Sequence, residues 1–203
     1  MQVNEILKLS AIFTGEEDVA KSNILNPAVA TMEPEDENLS QQPVLDQQEI
    51  IDKAYTFLMC LNMVLEDIAK DYLPLLQEEE IVFTEKKFEY ENLSKVISDI
   101  VKLQNPAGLA IKFKCFPEYI KADIHKAIIT YSYLPEEVSL NQSFEFFDNK
   151  LTERIIAYGV AMEYMFLNSL SDEAAVWENR FLNSLESAIR KKHNVSLPKR
   201  RWL

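Results

Sequence analysis

Apolar residues recur at spacings of three and four in three parts of the chain, and this period predicts α-helices that each bury one face. The first helix is predicted over residues 2–13 and ends at Gly15. The second begins near Asp46, a plausible N-cap, and stops at Pro74, because proline lacks an amide hydrogen and its ring clashes with the preceding turn. The predicted buried faces are Val3, Ile6, Leu7 and either Ser10 or Ala11 in the first helix, and Leu58, Leu61, Leu65, Ile68 and Tyr72 in the second.

The third helical part covers residues 151–189 and is predicted to be a hairpin of two antiparallel helices. The turn at 168–171 supplies asparagine and serine as N-cap candidates, and Gly159 favours close helix packing. The first helix of this pair is apolar nearly all round, so we hypothesise that a neighbouring subunit covers one of its faces. The predicted stripes are Leu151, Ile155, Tyr158, Met162, Met165 and Phe166, followed by Ala174, Trp177, Phe181, Leu185 and Ala188.

The residues between these helices change to a period of two, which is typical of half-buried strands. Segments 98–103 and 109–115 are predicted to form a hairpin, and residues 126–133 to form a further strand. We therefore predict a small antiparallel sheet of three or four strands over 80–135, with one buried and one wetter face. The expected fold class is α+β, mainly α: a helical bundle with a small antiparallel β-sheet inserted between the N-terminal and C-terminal helices.

Residues 15–45 are polar, acidic and interrupted by prolines, and this composition predicts a flexible linker. A single helical turn near Ala28–Met32 is the one structured alternative within it. The predicted organisation is one domain over residues 1–189, followed by a separate arm over 190–203.

Charge distinguishes that arm from the rest of the chain. The net charge is −12, yet six of the 21 basic residues follow Ile189, so positions 1–189 hold 15 basic against 33 acidic residues, a balance of −18. An acidic body repels phosphate backbones, which argues against duplex DNA binding. The arm is open to two interpretations, a solvated terminus or a docking arm, and its ending in Trp202 and Leu203 favours docking, because aromatic residues beside arginine are typical interface anchors.

The residue types that carry out chemistry are sparse. The chain has two histidines, His125 and His193, and neither has a cysteine or second histidine at metal-ligand spacing. Three glycines are too few for a phosphate-binding loop. Cys60 and Cys115 lie in apolar contexts and are expected to be reduced core residues, which indicates intracellular folding. We expect no catalytic, cofactor or metal site and no signal peptide, and the longest apolar runs are too short for a membrane span.

Several segments of the sequence resemble the head–tail connector or adaptor proteins of tailed bacteriophages, the tail tubular protein A type among them. The resemblance spans most of the chain and is most specific between residues 154 and 181. The acidic stretch 15–45 is longer than the usual connection in that family. The similar segments are 3–9 with 14–17, 54–75, 128–137, Arg154–Tyr164 with Asn168, Glu173–Trp177 with Arg180 and Phe181, and Leu197–Trp202.

The resemblance implies a virion protein without a reaction, made in the host cytoplasm. Its subunits would form a homo-oligomeric ring, a dodecamer in the family, between the portal protein and the tail or neck proteins, and DNA would pass through the channel without specific binding. We expect the arm to dock on the portal. An acidic regulatory module that binds a partner protein remains the alternative, and an enzyme a distant third. The residues expected to contact the portal are Lys199, Arg200, Arg201 and Trp202.

Overall fold

The computed structural model describes residues 1–26, 44–147 and 151–190. Within these ranges the chain is a mixture of α and β structure, about 48% helical and 23% strand, with two small antiparallel sheets. The helices are α1 (Val3–Thr14), α2 (Glu17–Lys21), α3 (Val44–Asp67), α4 (Glu153–Leu167) and α5 (Ser171–Ile189). The strands lie between α3 and α4 and are β1 (Leu75–Val82), β2 (Lys87–Glu89), β3 (Ile97–Gln104), β4 (Phe113–Cys115), β5 (Tyr119–Ala122) and β6 (Lys126–Tyr133).

Helix α1 agrees with its prediction. Its buried residues include both Ser10 and Ala11, and the Ser10 hydroxyl donates a 2.8 Å hydrogen bond to the Ile6 carbonyl, so the polar group is satisfied inside the core. Gly15 ends the helix with a φ of +81°, a left-handed conformation that glycine adopts without steric cost. The linker prediction for 15–45 is wrong where α2 forms, and the alternative turn near 28–32 lies outside the described residues.

Helix α3 begins at Val44, two residues before the N-cap predicted at Asp46. It continues through one π-helical turn, Ile68–Tyr72, just before Pro74. Of its predicted stripe, Leu61, Leu65 and Ile68 are buried, while Leu58 and Tyr72 are half-buried. The buried face also includes Ala54, Phe57, Cys60 and Val64.

Helix α4 lies at the centre of the helical region, in contact with α1, α3 and α5. The stripe predicted for it is wrong in part, because Ile155, Tyr158 and Met162 are half-buried and Phe166 is exposed. Helices α1, α3 and α5 of the same chain contact α4, but Arg154, Phe166 and Leu167 are exposed, so the hypothesis that a neighbouring subunit covers one of its faces stays a prediction. The buried positions of α4 are Ile156, Ala157, Gly159, Val160, Ala161, Tyr164 and Met165.

Gly159 permits the close helix packing expected of it. A Cβ atom at this position would lie 2.8 Å from Cγ1 of Val64 on α3 and 3.1 Å from Cε2 of Phe181 on α5. These distances are shorter than carbon–carbon van der Waals contact. A glycine at this point is therefore what lets α3, α4 and α5 meet.

Helix α5 buries Ala174, Phe181 and Leu185 as predicted. Leu170 occupies its N-cap position, and none of the predicted N-cap candidates caps the helix through a side chain.

The strands form two sheets, not the single sheet predicted. One has the order β1–β6–β3 and the other the order β2–β5–β4, both antiparallel. The predicted hairpin starts correctly, with a bridge between Gln104 and Ala110, but the chain then leaves β3 and pairs β4 with β5.

Cys115 at the end of β4 is exposed, so its expected burial is wrong, whereas Cys60 is buried.

Each region encloses its own hydrophobic core. The helical core is formed by α1 to α5 together with Val138, Phe144 and Leu151 of the segment that returns from the sheets. The sheet core lies between the two sheets and consists of Ile81, Phe83, Leu103, Ile120, Ala122, Ala127, Ile129 and Tyr131. None of the helices within the described ranges combines the length and apolarity that crossing a bilayer requires.

Candidate protein-binding surface

Three aromatic rings from three helices meet at the surface of the helical region. The ring centroids of Phe13 and Tyr158 are 5.2 Å apart, those of Phe13 and Trp177 5.1 Å, and those of Tyr158 and Trp177 5.7 Å. All three rings are half-buried, so each presents an edge or a face to solvent. With Arg154 and Arg180 they form what we term the aromatic–arginine patch.

The two arginines lie over the aromatic rings. The Arg154 guanidinium is 5.6 Å from the centroid of Tyr158, and its Nε donates a 2.6 Å hydrogen bond to the Tyr158 hydroxyl. The Arg180 guanidinium is 4.7 Å from the centroid of Trp177. Both distances are within the range of cation–π attraction. Neither arginine forms an ion pair with a carboxylate of the described ranges, so most of their N–H donors remain available to a partner.

Helical spacing explains how the sequence assembles this patch. Arg154 and Tyr158 are four residues apart on α4, and Trp177 and Arg180 are three apart on α5, so each pair lies on one helix face. Phe13 is in the last turn of α1, which packs against α4. Tryptophan, tyrosine and arginine are the residue types enriched at the energetically dominant positions of protein interfaces. The patch therefore has the composition of a protein-binding surface.

A second surface lies on α3. Tyr55, Met59 and Met63 are spaced four residues apart along one face of the helix and are 56%, 49% and 41% exposed. That face is opposite the buried face containing Phe57 and Cys60. Beside it runs an open groove of about 360 Å³ between α3 and residues 135–137. We term this the α3 groove; it is lined by Tyr55, Leu58, Met59, Asn62, Met63, Leu65, Glu66, Pro135, Glu136 and Glu137.

Asn62 holds the second wall of the α3 groove in place. Its Oδ1 accepts a 2.8 Å hydrogen bond from the Val138 amide, and its Nδ2 donates a 3.2 Å bond to the Val138 carbonyl. The groove is acidic at its rim. Glu136 pairs with Lys95, while Glu66 and Glu137 form no ion pair with a described cation. The groove thus combines exposed apolar side chains with two available carboxylates.

Other charged groups of the helical region have structural partners. Glu16 accepts a 2.8 Å hydrogen bond from the Tyr164 hydroxyl and one of 3.0 Å from Lys53, which ties the end of α1 to α3 and α4. Burial, followed by the bond to Glu16, raises the pKa of Tyr164 to about 12. Hydrogen bonds to Glu16 and Glu49 raise the pKa of Lys53 well above its ordinary value. This cluster connects helices, and its lysine stays charged throughout the physiological range.

The residues that the sequence marked for possible chemistry do not converge. His125 is exposed between β5 and β6, and His193 lies outside the described residues. Burial raises the pKa of the Cys60 thiol to about 12, which leaves almost no thiolate near neutral pH. Across 1–26, 44–147 and 151–190, no group of three or more histidine, cysteine or acidic side chains is placed to hold a metal ion.

The predicted portal-contact residues lie outside the described part of the chain: Lys199, Arg200, Arg201 and Trp202. The two surfaces that the structure does reveal were missed by sequence reasoning. A signal was present for the patch, in the arginines three and four residues from an aromatic within segment 154–181. The convergence of α1 on these residues, and the pairing of α3 with segment 135–137, involve contacts remote in sequence.

Comparison with known proteins adds no relative, since no protein-family model matches the chain and no curated protein matches it.

Proposed function

We propose that this chain is a non-enzymatic structural protein of a tailed-bacteriophage virion, a head–tail adaptor that forms a ring between the portal and the tail and continues the DNA channel. The observation that carries the proposal is the aromatic–arginine patch. Four of its five residues, Arg154, Tyr158, Trp177 and Arg180, fall in the segment with the most specific resemblance to the adaptor family, and their chemistry is that of a protein interface.

The proposal includes an arrangement of the helices as a bundle around α4, with the two sheets as an insertion between α3 and α4. The contacts of α4 with α1, α3 and α5 support this arrangement. Such a bundle would be a rigid frame for surfaces on its outer helices. The apolar α3 groove gives a second surface through which a ring subunit could contact a neighbour.

Charge supports a channel role. Positions 1–189 carry a balance of −18, and an acidic wall lets DNA slide without adhering because like charges repel. The arm over 190–203 would dock on the portal, with Trp202 as the apolar anchor and the arginines as bidentate donors. The ring, expected to be a dodecamer, would contact tail or neck proteins on its other side and require no cofactor.

Native mass spectrometry tests the proposal, with the protein measured alone and mixed with the portal protein of the same genome. A ring, formed alone or only on mixing, is the expected result. A monomer that the portal leaves unchanged would contradict it and favour the acidic regulatory module. Changing Arg200, Arg201 and Trp202 to alanine should abolish portal attachment, whereas the control Lys191→Ala/Lys192→Ala should retain most of it because the anchor is intact.

A further inference from the structure

We propose that the aromatic–arginine patch of one copy binds the α3 groove of the next copy, so that the two surfaces together form the interface between neighbouring subunits. This inference rests on the proposed ring and specifies the surfaces that close it. The occupant of the groove is thus a second copy of this chain, and its contacting residues are Arg154, Arg180 and the aromatic rings beneath them.

The two surfaces face different directions within one copy. Helix α3 turns its Phe57, Cys60 and Val64 face inward, with Val64 against Gly159 of α4, so the row of Tyr55, Met59 and Met63 points away from α4. The patch, in contrast, lies where α1, α4 and α5 meet. A contact between two different surfaces is head-to-tail, and repeating it around an axis produces a closed ring when the rotation closes.

Charge complementarity identifies the occupant. The patch presents two guanidinium groups without a carboxylate partner, and the groove presents Glu66 and Glu137 without a cationic partner, within the described ranges. An arginine fork matches a carboxylate with two parallel hydrogen bonds. On a chain of net charge −12, acidic surfaces would otherwise repel one another, so an exposed arginine pair is well placed to bring two copies together.

The apolar parts of the two surfaces also match. Met59 and Met63 are flexible and polarisable side chains that pack well against aromatic rings, and the patch presents the rings of Tyr158 and Trp177. Tyr55 extends the apolar surface of the groove by a further helical turn. Apolar contact of this kind would exclude water from the arginine–carboxylate pairs and strengthen them.

Charge reversal tests the inference through complementation between the two surfaces. A patch variant, Arg154→Glu/Arg180→Glu, keeps its groove, and a groove variant, Glu66→Lys/Glu137→Lys, keeps its patch. Each alone should fail to assemble. Mixed in equal amounts, they should form rings of alternating variants, because the unmodified groove of the first accepts the unmodified patch of the second, and the reversed groove of the second accepts the reversed patch of the first. Placing all four changes in one chain should restore the ring.

The measurement is native mass spectrometry, with portal protein included if the unmodified chain assembles only in its presence. Lys112→Glu/Lys114→Glu, a reversal at exposed positions on the sheet side, is the matched control and should assemble normally. Circular dichroism and thermal unfolding verify that every variant is folded. If the folded patch or groove variant still forms rings, the interface is wrong while the adaptor proposal stands.

Two further results would also overturn the inference. Loss of portal attachment by the patch variant with rings intact would assign the patch to the portal. Failure of the unmodified chain to assemble, with or without portal, would overturn both this inference and the proposed function.

Discussion

The helical and sheet regions of this protein reach stability by different means. The helical core contains 22 buried apolar residues in the described ranges, whereas the sheet core contains eight. The 22 come from all five helices, the π-helical turn after α3, Leu25, and Val138, Phe144 and Leu151. The larger core is held by close packing around a central helix. The smaller one depends on pairing of short strands and on polar bonds at its rim, since a three-stranded sheet is near the lower limit of independent stability.

One carboxyl group in each region, Glu79 in the sheet region and Glu163 in the helical region, shows a further difference between the two regions. In the sheet region burial opposes ionisation of Glu79, but hydrogen bonds from Ser94 and Tyr131 outweigh it and lower the pKa of Glu79. In the helical region burial, followed by repulsion from Asp67 and Glu178, raises the pKa of Glu163. One carboxylate therefore stabilises its fold at neutral pH while the other opposes it. The following experiments exploit this difference.

The largest effect is expected from Phe57→Ala in the helical core. Phe57 is fully buried and stacks on Tyr164 with ring centroids 4.1 Å apart, so its removal should lower the free energy of unfolding by about 3–5 kcal/mol. Urea denaturation followed by circular dichroism measures the loss. Hydrogen exchange should show weaker protection in α3 and α4 before β6 is affected, if the cores open separately.

The counterpart in the sheet core is Ile129→Ala. In this variant, hydrogen exchange should show weaker protection in β6 before α3 and α4 are affected. Loss of protection in both regions at once, in both variants, would show that the two cores unfold as one cooperative unit and would contradict the distinction drawn between them.

Gly159→Ala tests the close packing of the helical region. The added methyl group meets Val64 and Phe181, and overpacking should outweigh the higher helix propensity of alanine, so we expect a net loss of about 1–2 kcal/mol in the free energy of unfolding. Adding Val64→Ala should recover part of the loss introduced by Gly159→Ala, because it removes the nearest atom. Equal effects of Gly159→Ala with and without Val64→Ala would refute the steric explanation.

Tyr131→Phe tests the polar rim of the sheet core. The Tyr131 hydroxyl donates a 2.5 Å hydrogen bond to Oε1 of Glu79 and accepts one of 3.3 Å from the Lys95 amide, so its loss should reduce the free energy of unfolding by about 1 kcal/mol at pH 7. Because the pKa of Glu79 is lowered in the fold, this stabilisation exists above the pKa of the unfolded chain and disappears as the pH falls through the folded value.

The difference in the free energy of unfolding between the unmodified chain and Tyr131→Phe should therefore become smaller in acid. Thermal unfolding at pH values from 7 to 3 measures this difference. Tyr133→Phe is the control, since its hydroxyl forms no hydrogen bond with the described residues. If this difference in the free energy of unfolding is the same at every pH, the loss caused by Tyr131→Phe comes from packing and not from the hydrogen bond to Glu79.

Glu163→Gln should have the smallest effect, and it should be stabilising. The pKa of Glu163 is higher in the fold than in the unfolded chain. The free energy of unfolding is therefore at its full value below the pKa of Glu163 in the unfolded chain, and it declines as the pH rises through the pKa of Glu163 in the fold. A neutral glutamine removes that decline, and solvent screening keeps the gain below about 1 kcal/mol at pH 7. The gain should vanish near pH 4 in thermal unfolding, while the exposed control Glu186→Gln should show no such trend.

Sequence patterns predicted much of the fold. The bounds of α1, the end of α3 before Pro74, strand β6 and the hairpin of α4 and α5 all follow from local period, proline and turn signals. The stripe predicted for α4 was wrong in part, because a helix in contact with three others buries more than one stripe of residues. The period of three and four does not show which of these stripes is buried most deeply. The second sheet was missed because β2, β4 and β5 have only three or four residues each.

The sequence by itself determined the helical segments, the acidic body and basic arm, and Gly159 as a packing point, because each depends on residues close together in the chain or on composition. Only the tertiary structure decided that Phe13, Tyr158 and Trp177 share one surface, and that residues 135–137 complete the α3 groove. Those contacts join positions far apart in the chain, and their formation depends on the packing of whole elements, which no local pattern encodes.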